Sequence, residues 1–221
     1  SLLTGLEETN RSLKQPNTSA TGKFRIAAPT ALGLTLIAPA IADFMAAQPN
    51  VVIQLDLLDR IIDLLEEDYD MAVRVDETLE STPNSRSLGQ MEVGLFCSPS
   101  YLAHHGRPRG PADLGTHQAL YLASQQSWNL RGGLSEKPKP QFCSNRLEAL
   151  KTLCLAGQGI ALLPLFLVRS EIERNELVLL LDGFEPKPLN LIMTTSLQRC
   201  ETNSSRLFQQ FLETHFRRLR F

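Results

Sequence analysis

Residues 22–75 read GKFRIAAPTALGLTLIAPAIADFMAAQPNVVIQLDLLDRIIDLLEEDYDMAVRV, and this stretch decides the fold. Phe24, Ile26 and Ala28 alternate as a half-buried strand does, and Pro29 with Thr30 stops it. Leu34, Ile37, Ile41, Phe44 and Met45 then carry a helical period up to Pro49. Pro39 lies inside that period and is tolerated only near the first turns or with a local bend. Val51, Ile53, Leu55 and Leu57 alternate again. Asp59 is placed to cap a short helix holding Ile61, Ile62, Leu64 and Leu65, and YDMAVRV reads as a third strand. Strands joined by helices pair in parallel, so this is an α/β unit. Each helix starts beyond the carboxyl end of a strand, where open sheets bind ligands.

Working outward, DETLESTPNSRSLG is polar and turn-rich and reads as a gap. MEVGLFCSPSYLAHHG is a strand entering a helix, with Ser98 as N-cap and Pro99 at the first helical position. GPADL repeats that signal briefly, HQALYLA is a strand, and SQQSWNLRGGLSEKPKP a hairpin or loop. QFCS is a short strand. Asn145 then offers a cap and Glu148 completes a capping box for a helix with Leu147, Leu150, Leu153 and Cys154 on its apolar stripe. Gly157 and Gly159 end that helix, IALLP is a buried strand, and Pro164 opens a further helix to about Arg174. ELVLLL and LNLIMTTS are strands, and a final helix runs from about Ser204 to Leu219. The pattern gives two α/β units, roughly 22–92 and 93–188, with the last strand and helix free to join either.

The 221 residues suffice for one large or two small domains, and 43% hydrophobic with 21% charged residues is ordinary globular composition. A net charge of -2 gives no electrostatic footprint for nucleic acid in this chain, and the Arg residues of HFRRLRF suit a solvated helix end. Cys97, Cys143, Cys154 and Cys200 form no CxxC pair, so no structural zinc is expected; reduced thiols in the cytoplasm are. No signal peptide and no apolar run long enough for a bilayer is read. No GxSxG elbow, phosphate loop or HExxH is present, and GQGIAL follows a helix and enters a strand, the reverse of the dinucleotide arrangement. Neither catalysis nor a cofactor is expected. Residues 1–21 read as the end of a helix and a linker, with an N-terminal part removed.

The long stretch at 22–75, CSPSYLAHHGRPRGPADLGTHQAL, SNRLEALKTLCLAGQGIALLP and the terminal helix together resemble the effector-binding domain of LysR-type transcriptional regulators. The order and spacing of P-x-x-x-G, DR-x-x-DL, SP-x-YL and GxGIALLP carry the resemblance over about residues 22–212. It implies a fold like a type 2 periplasmic binding protein, with two Rossmann-like subdomains and an effector cleft between them. It implies the boundaries 1–21 for the linker, 22–92 for subdomain I, 93–194 for subdomain II, and 195–221 for the return to subdomain I. A winged helix-turn-helix outside this chain would bind DNA, and the helix at 34–48 with the strand at 51–57 would pair copies into a homodimer or homotetramer.

The resemblance also places the site. Thr30 with the amides near Ala31 and Leu32, Ser98 with Ser100, and Ser144, Asn145 and Arg146 would line the cleft. Helix amide ends favour an anion, so a small organic acid is the expected effector. The plainer alternative is that Ser98 and Asn145 only cap their own helices. Arg146 departs from the small or acidic residue of many relatives and is either a carboxylate clamp or a solvent-facing cation. Arg74 is a cleft cation or a structural pair, and Leu32 and Phe142 are apolar walls or core. Two other functions stay open: a stand-alone solute-binding protein of the same fold, and a thiol redox sensor using Cys97 and Cys143.

Overall fold

The computed structural model describes residues 22–78, 82–125, 127–131, 134–196 and 202–217. The expected linker at 1–21, Cys200 and Leu219 lie outside the described residues. The described residues divide into two compact units, one drawn from 22–75, 82–89 and 191–217, the other from 76–78 and 90–190.

The first unit is built on a five-stranded sheet. Its strands are β1 (Gly22–Ala28), β2 (Val51–Leu57), β3 (Met71–Asp76), β4 (Ser85–Met91) and β12 (Leu189–Thr195), in the order β2-β1-β3-β12-β4. β1 runs parallel to both β2 and β3, as connecting segments with helical period require. Helix α1 (Thr30–Ala47) follows β1, and helix α5 (Asn203–Arg217) ends the described chain. Phe24 of β1, Phe44 of α1 and Phe208 of α5 meet at ring distances of 5.4 and 5.0 Å and are fully buried. Each such burial stabilises by about 1.5–3 kcal/mol.

Pro39 explains an irregularity in α1. Residues Gly33–Ile37 form a π turn, and regular helix resumes at Ala38 with Pro39 in its first turn. The wider turn removes the clash that a proline ring makes with a carbonyl four residues back. The π turn lies against β2: a Cβ on Gly33 would fall 2.2 Å from Leu57 Cδ2, so a larger residue there must displace the Leu57 side chain. α1 has 18 residues and a mean hydropathy of 1.6, long and apolar enough to cross a membrane by length and composition. That corrects the sequence reading of no such run; the face with Leu32, Ile37, Ala40, Ile41 and Phe44 is buried in the unit's own core.

Two further sequence expectations fail here. Residues 61–65 form no helix; Asp63 Oδ1 takes the amides of Leu65 and Glu66 at 2.8 and 3.2 Å and folds the segment into turns. Arg60 clasps Glu67 across the turns, and Ile61 is 97% exposed. β4 begins inside the supposed gap; its Leu88 and Met91 are buried while Arg86, Ser87 and Gln90 are exposed.

The second unit has its own five-stranded sheet in the order β11-β5-β10-β6-β9. These strands are β5 (Val93–Cys97), β6 (Ala119–Leu122), β9 (Pro140–Ser144), β10 (Ile160–Pro164) and β11 (Val178–Leu180). β6 is parallel to β9 and β10, whereas β5 is antiparallel to both β10 and β11. Helices α2 (Pro99–His105), α3 (Leu147–Leu155) and α4 (Leu165–Glu173) and a 3-10 helix (Pro111–Thr116) complete it, with a two-residue hairpin β7 (Trp128–Asn129) and β8 (Ser135–Glu136). Every residue of VGLFC and IALLP is buried, and Leu150 and Cys154 of α3 pack with Phe96, Leu120, Ala161 and Leu163. Lys151 of α3 braces α4, reaching Glu171 at 2.7 Å and the Leu167 carbonyl at 3.0 Å.

Candidate functional site

In the first unit, parallel pairing brings three strand ends together. The register Ala28↔Leu57 sets Asp59 level with Thr30, and Ala27↔Ala72 sets Arg74 level with Pro29. Thr30 is half-buried and opens α1 with no side chain of α1 capping it; Pro29 precedes it. Its amide is already bonded, donating to Asp59 Oδ1 at 2.8 Å. Asp59 therefore caps α1 from 29 residues away and not a helix of its own, which corrects the role read from sequence. Ala31 and Leu32 follow in the first turn, where amides lack partners within the helix, and both side chains are buried. Leu32 is core, at 2% exposure. Arg74 is half-buried on β3 at the same sheet end.

A charged cluster fastens the turns to this sheet. Arg25 reaches Asp56 at 2.8 Å and lies 4.6 Å over the Tyr69 ring, while Tyr69 donates to Asp56 at 2.9 Å. The Arg25 hydrogen bond, with those of Tyr69 and Gln54, holds the Asp56 carboxyl below its ordinary range against burial. Sequence reasoning missed this cluster because Arg25, Asp56 and Tyr69 are remote along the chain; the polar breaks in the alternation of β1 and β2 were its only signal.

The second unit divides the candidates. β6 and β9 are parallel, with Leu122 beside Ser144, so Ser144, Asn145 and Arg146 stand at the carboxyl end of both strands. β5 runs the other way: Phe96 pairs with Ala161, which places Cys97 and Ser98 at the amino end of β10. Ser98 and Ser100 thus lie at the opposite end of the strands from Ser144, at least one length of α3 or about 13 Å away. The sequence reading had set all five on one cleft wall, and antiparallel pairing of β5 separates them. Ser98 is 3% exposed, accepts from the Tyr101 amide at 3.3 Å and meets Ser100 Oγ at 2.9 Å. It acts as the cap that the plainer alternative describes, shut beneath Gly157, where a Cβ would lie 2.9 Å from Ser100 Oγ.

The opposite holds for Asn145, which does not cap. α3 begins at Leu147 with extended Arg146 as its N-cap residue, and no side chain caps it. Ser144 Oγ instead accepts from the Arg146 amide at 3.1 Å. Asn145 and Arg146 are exposed, Ser144 is half-buried, and Phe142 is 36% exposed and so not core.

The thiols separate as well. Cys97 lies on β5 and Cys143 on β9, three strand spacings or about 14 Å apart, twice the reach of a disulfide. Burial pushes the thiols of Cys97 and Cys154 up to about 12, whereas Cys143 is exposed. A Cys97–Cys143 redox pair is incompatible with this sheet. Among the described residues, no group of three His, Cys, Asp or Glu is placed to hold a metal ion.

Residues 17–217 match the family model described as the LysR substrate binding domain. The chain belongs to this LysR family. It is 33% identical over 196 residues to an uncharacterized HTH-type transcriptional regulator of Haemophilus influenzae, covering 86% of this chain and 68% of that protein. The solved regulatory domain of CrgA, a LysR-type transcriptional regulator from Neisseria meningitidis, superposes with a TM-score of 0.78 at 27% identity, covering 89% of this chain and 99% of that one. The full-length Vibrio cholerae virulence activator AphB gives a TM-score of 0.78 at 26% identity, over 96% of this chain and 74% of that one. The fold is the periplasmic-binding-protein-like α/β fold, and the LysR chain described here is a ligand-binding regulatory domain. Its family is one of transcriptional regulators, which are not enzymes.

Proposed function

We propose that this LysR domain senses a small organic acid for a cytoplasmic DNA-binding regulator. DNA contact would belong to a helix-turn-helix segment outside this chain. The effector patch of the first unit is Thr30, Ala31, Leu32 and Arg74; that of the second is Phe142, Ser144, Asn145 and Arg146. Ser98 and Ser100 are set aside because Ser98 caps α2, with Ser100 bonded to it, at the far end of the strands.

The observation that carries the reading is the parallel register of β1 and β3, which brings the α1 amides and the Arg74 position to one sheet end. The amides and the helix dipole favour negative charge there. Asp59 already supplies one carboxylate to that end, so a second anion is held only if a cation offsets it; Arg74 is the nearest in register. A panel of small mono- and dicarboxylic acids tested by thermal shift checks this. A saturating acid at about 100 times its Kd stabilises by about 2.7 kcal/mol. The response should shrink in Thr30→Ala and in Arg74→Gln; an undiminished response in both variants would remove the first-unit patch.

Pairing with a second copy belongs to the same proposal. Leu34 and Met45 of α1 are 57% and 44% exposed, and Val52 on the edge strand β2 is 56% exposed. Apolar side chains on β2, the edge strand among the described residues, and on the adjoining helix suit a protein surface better than water.

A further inference from the structure

We propose that His117 is a proton-sensitive latch of the second unit: uptake of a proton at its Nδ1 forces it off the Tyr101 hydroxyl and loosens the joint between α2, the 3-10 helix and β6. The inference does not depend on the identity of any effector.

The Tyr101 hydroxyl oxygen lies 2.9 Å from the Gln118 amide nitrogen and 3.1 Å from His117 Nδ1. The Gln118 amide can only donate, so the hydroxyl accepts there and has one proton left to give. That proton finds an acceptor at His117 Nδ1, 3.1 Å away, only when the ring nitrogen offers its lone pair. This assigns the neutral imidazole with its proton on Nε2. A protonated ring carries hydrogen on both nitrogens. Two donors would then face one hydroxyl, and the phenol proton would lose its acceptor. Tyr101 is 1% and His117 6% exposed, so water is poorly placed to repair the loss.

The surroundings sharpen the effect. Burial first, then the neighbouring His105, makes His117 harder to protonate than an ordinary imidazole, while Asp113 of the 3-10 helix partly offsets them. His105 of α2 stacks on Tyr101 at 4.3 Å and 13°, and charge on it adds to the repulsion. From β5, Cys97 bears on Tyr101 and is held as the neutral thiol by burial. From α2, His104 turns its Nδ1 to the Ser100 carbonyl.

Gln118 makes the latch matter. Its amide is tied to Tyr101, and its carbonyl accepts from the Ile160 amide at 2.9 Å. Gly159 lies so near that a Cβ there would stand 2.7 Å from the same carbonyl oxygen. Gln118 therefore joins α2 to the entry of both β6 and β10, the centre of the second sheet. The folded protein favours neutral His117 more than the unfolded chain does. The stabilisation is complete above the unfolded value of about 6.5 and is lost as pH falls from there toward the folded value.

The test is an NMR titration of the chain from pH 8 to 4.5, reading the histidine Cε1–H signals and the Gln118 amide. His117 should titrate below the ordinary value of about 6.5, and the Gln118 amide should shift with the same midpoint. In His117→Asn the side-chain oxygen can accept from Tyr101 and takes no proton, so that shift should vanish. Tyr101→Phe should move the His117 midpoint up; if that variant does not fold, wild type and His117→Asn decide. A His117 midpoint at or above 6.5, or a Gln118 amide that ignores it, overturns the latch.

Discussion

Gly157 shows how much one backbone angle carries. Its φ is +74°, and a Cβ would lie 2.9 Å from Ser100 Oγ and 3.4 Å from Ser98 Oγ. Gly157→Ala should therefore cost about 1–3 kcal/mol in urea unfolding, from left-handed strain and displacement of the α2 cap. Gly106→Ala, at φ +76° with nothing within 4 Å, should cost less. The thiols give a second expectation. With ionisation pushed up to about 12, buried Cys97 and Cys154 should resist a thiol reagent at neutral pH, while exposed Cys143 reacts. In a Cys200→Ser background, counting fast thiols in folded and unfolded protein checks this; fast modification of Cys97 would contradict the burial. At this scale the sequence was half legible. Ser98 capped as its S-P signal says, yet Asn145 with Glu148 showed the same kind of signal and did not, because Arg146 stays extended and the helix starts at Leu147. A capping pattern states what a residue can do and leaves open which backbone conformation tertiary packing selects.

Among elements, the α3–α4 brace makes a pH prediction. Burial alone would raise the Glu171 carboxyl, but hydrogen bonds from Lys151 and Ser170 outweigh it and hold it below the ordinary carboxylate range. A carboxyl lowered on folding stabilises above its unfolded value and loses that contribution as pH falls through the folded one. Lys151→Met should thus cost about 1–3 kcal/mol at pH 7, and the cost should shrink toward pH 3 in urea melts. A penalty independent of pH would mean that packing, not charge, holds the two helices. Strands and helices with strong periods were readable from residues alone: β1, α1, β2, β3 and β10 all stand where alternation or helical spacing put them. Two things were not. Most of β4 is polar, and within the stretch read as a gap its one buried residue is Leu88. The direction of β5 leaves no trace in its own all-apolar run, and it is that direction which parts Ser98 from Ser144.

For the molecule as a whole, the resemblance drawn from motif order reached the family before any geometry, whereas the effector chemistry depended on which strand ends coincide. If copies pair through α1 and β2, Leu34→Glu with Val52→Lys should shift the sedimentation coefficient to that of the monomer without lowering the melting temperature by more than a few degrees. An unchanged coefficient would place pairing elsewhere. The central claim is that this LysR domain recognises the negative charge of its effector at the first turn of α1. The most direct measurement is an amide NMR titration with each small carboxylic acid of the panel and its uncharged primary amide. The account predicts saturable shifts at the Ala31 and Leu32 amides with at least one acid, weaker by tenfold or more in affinity with the matching amide compound, which is about 1.4 kcal/mol for the charge. Equal binding of the neutral compound, or binding that leaves Ala31 and Leu32 unmoved, would contradict it.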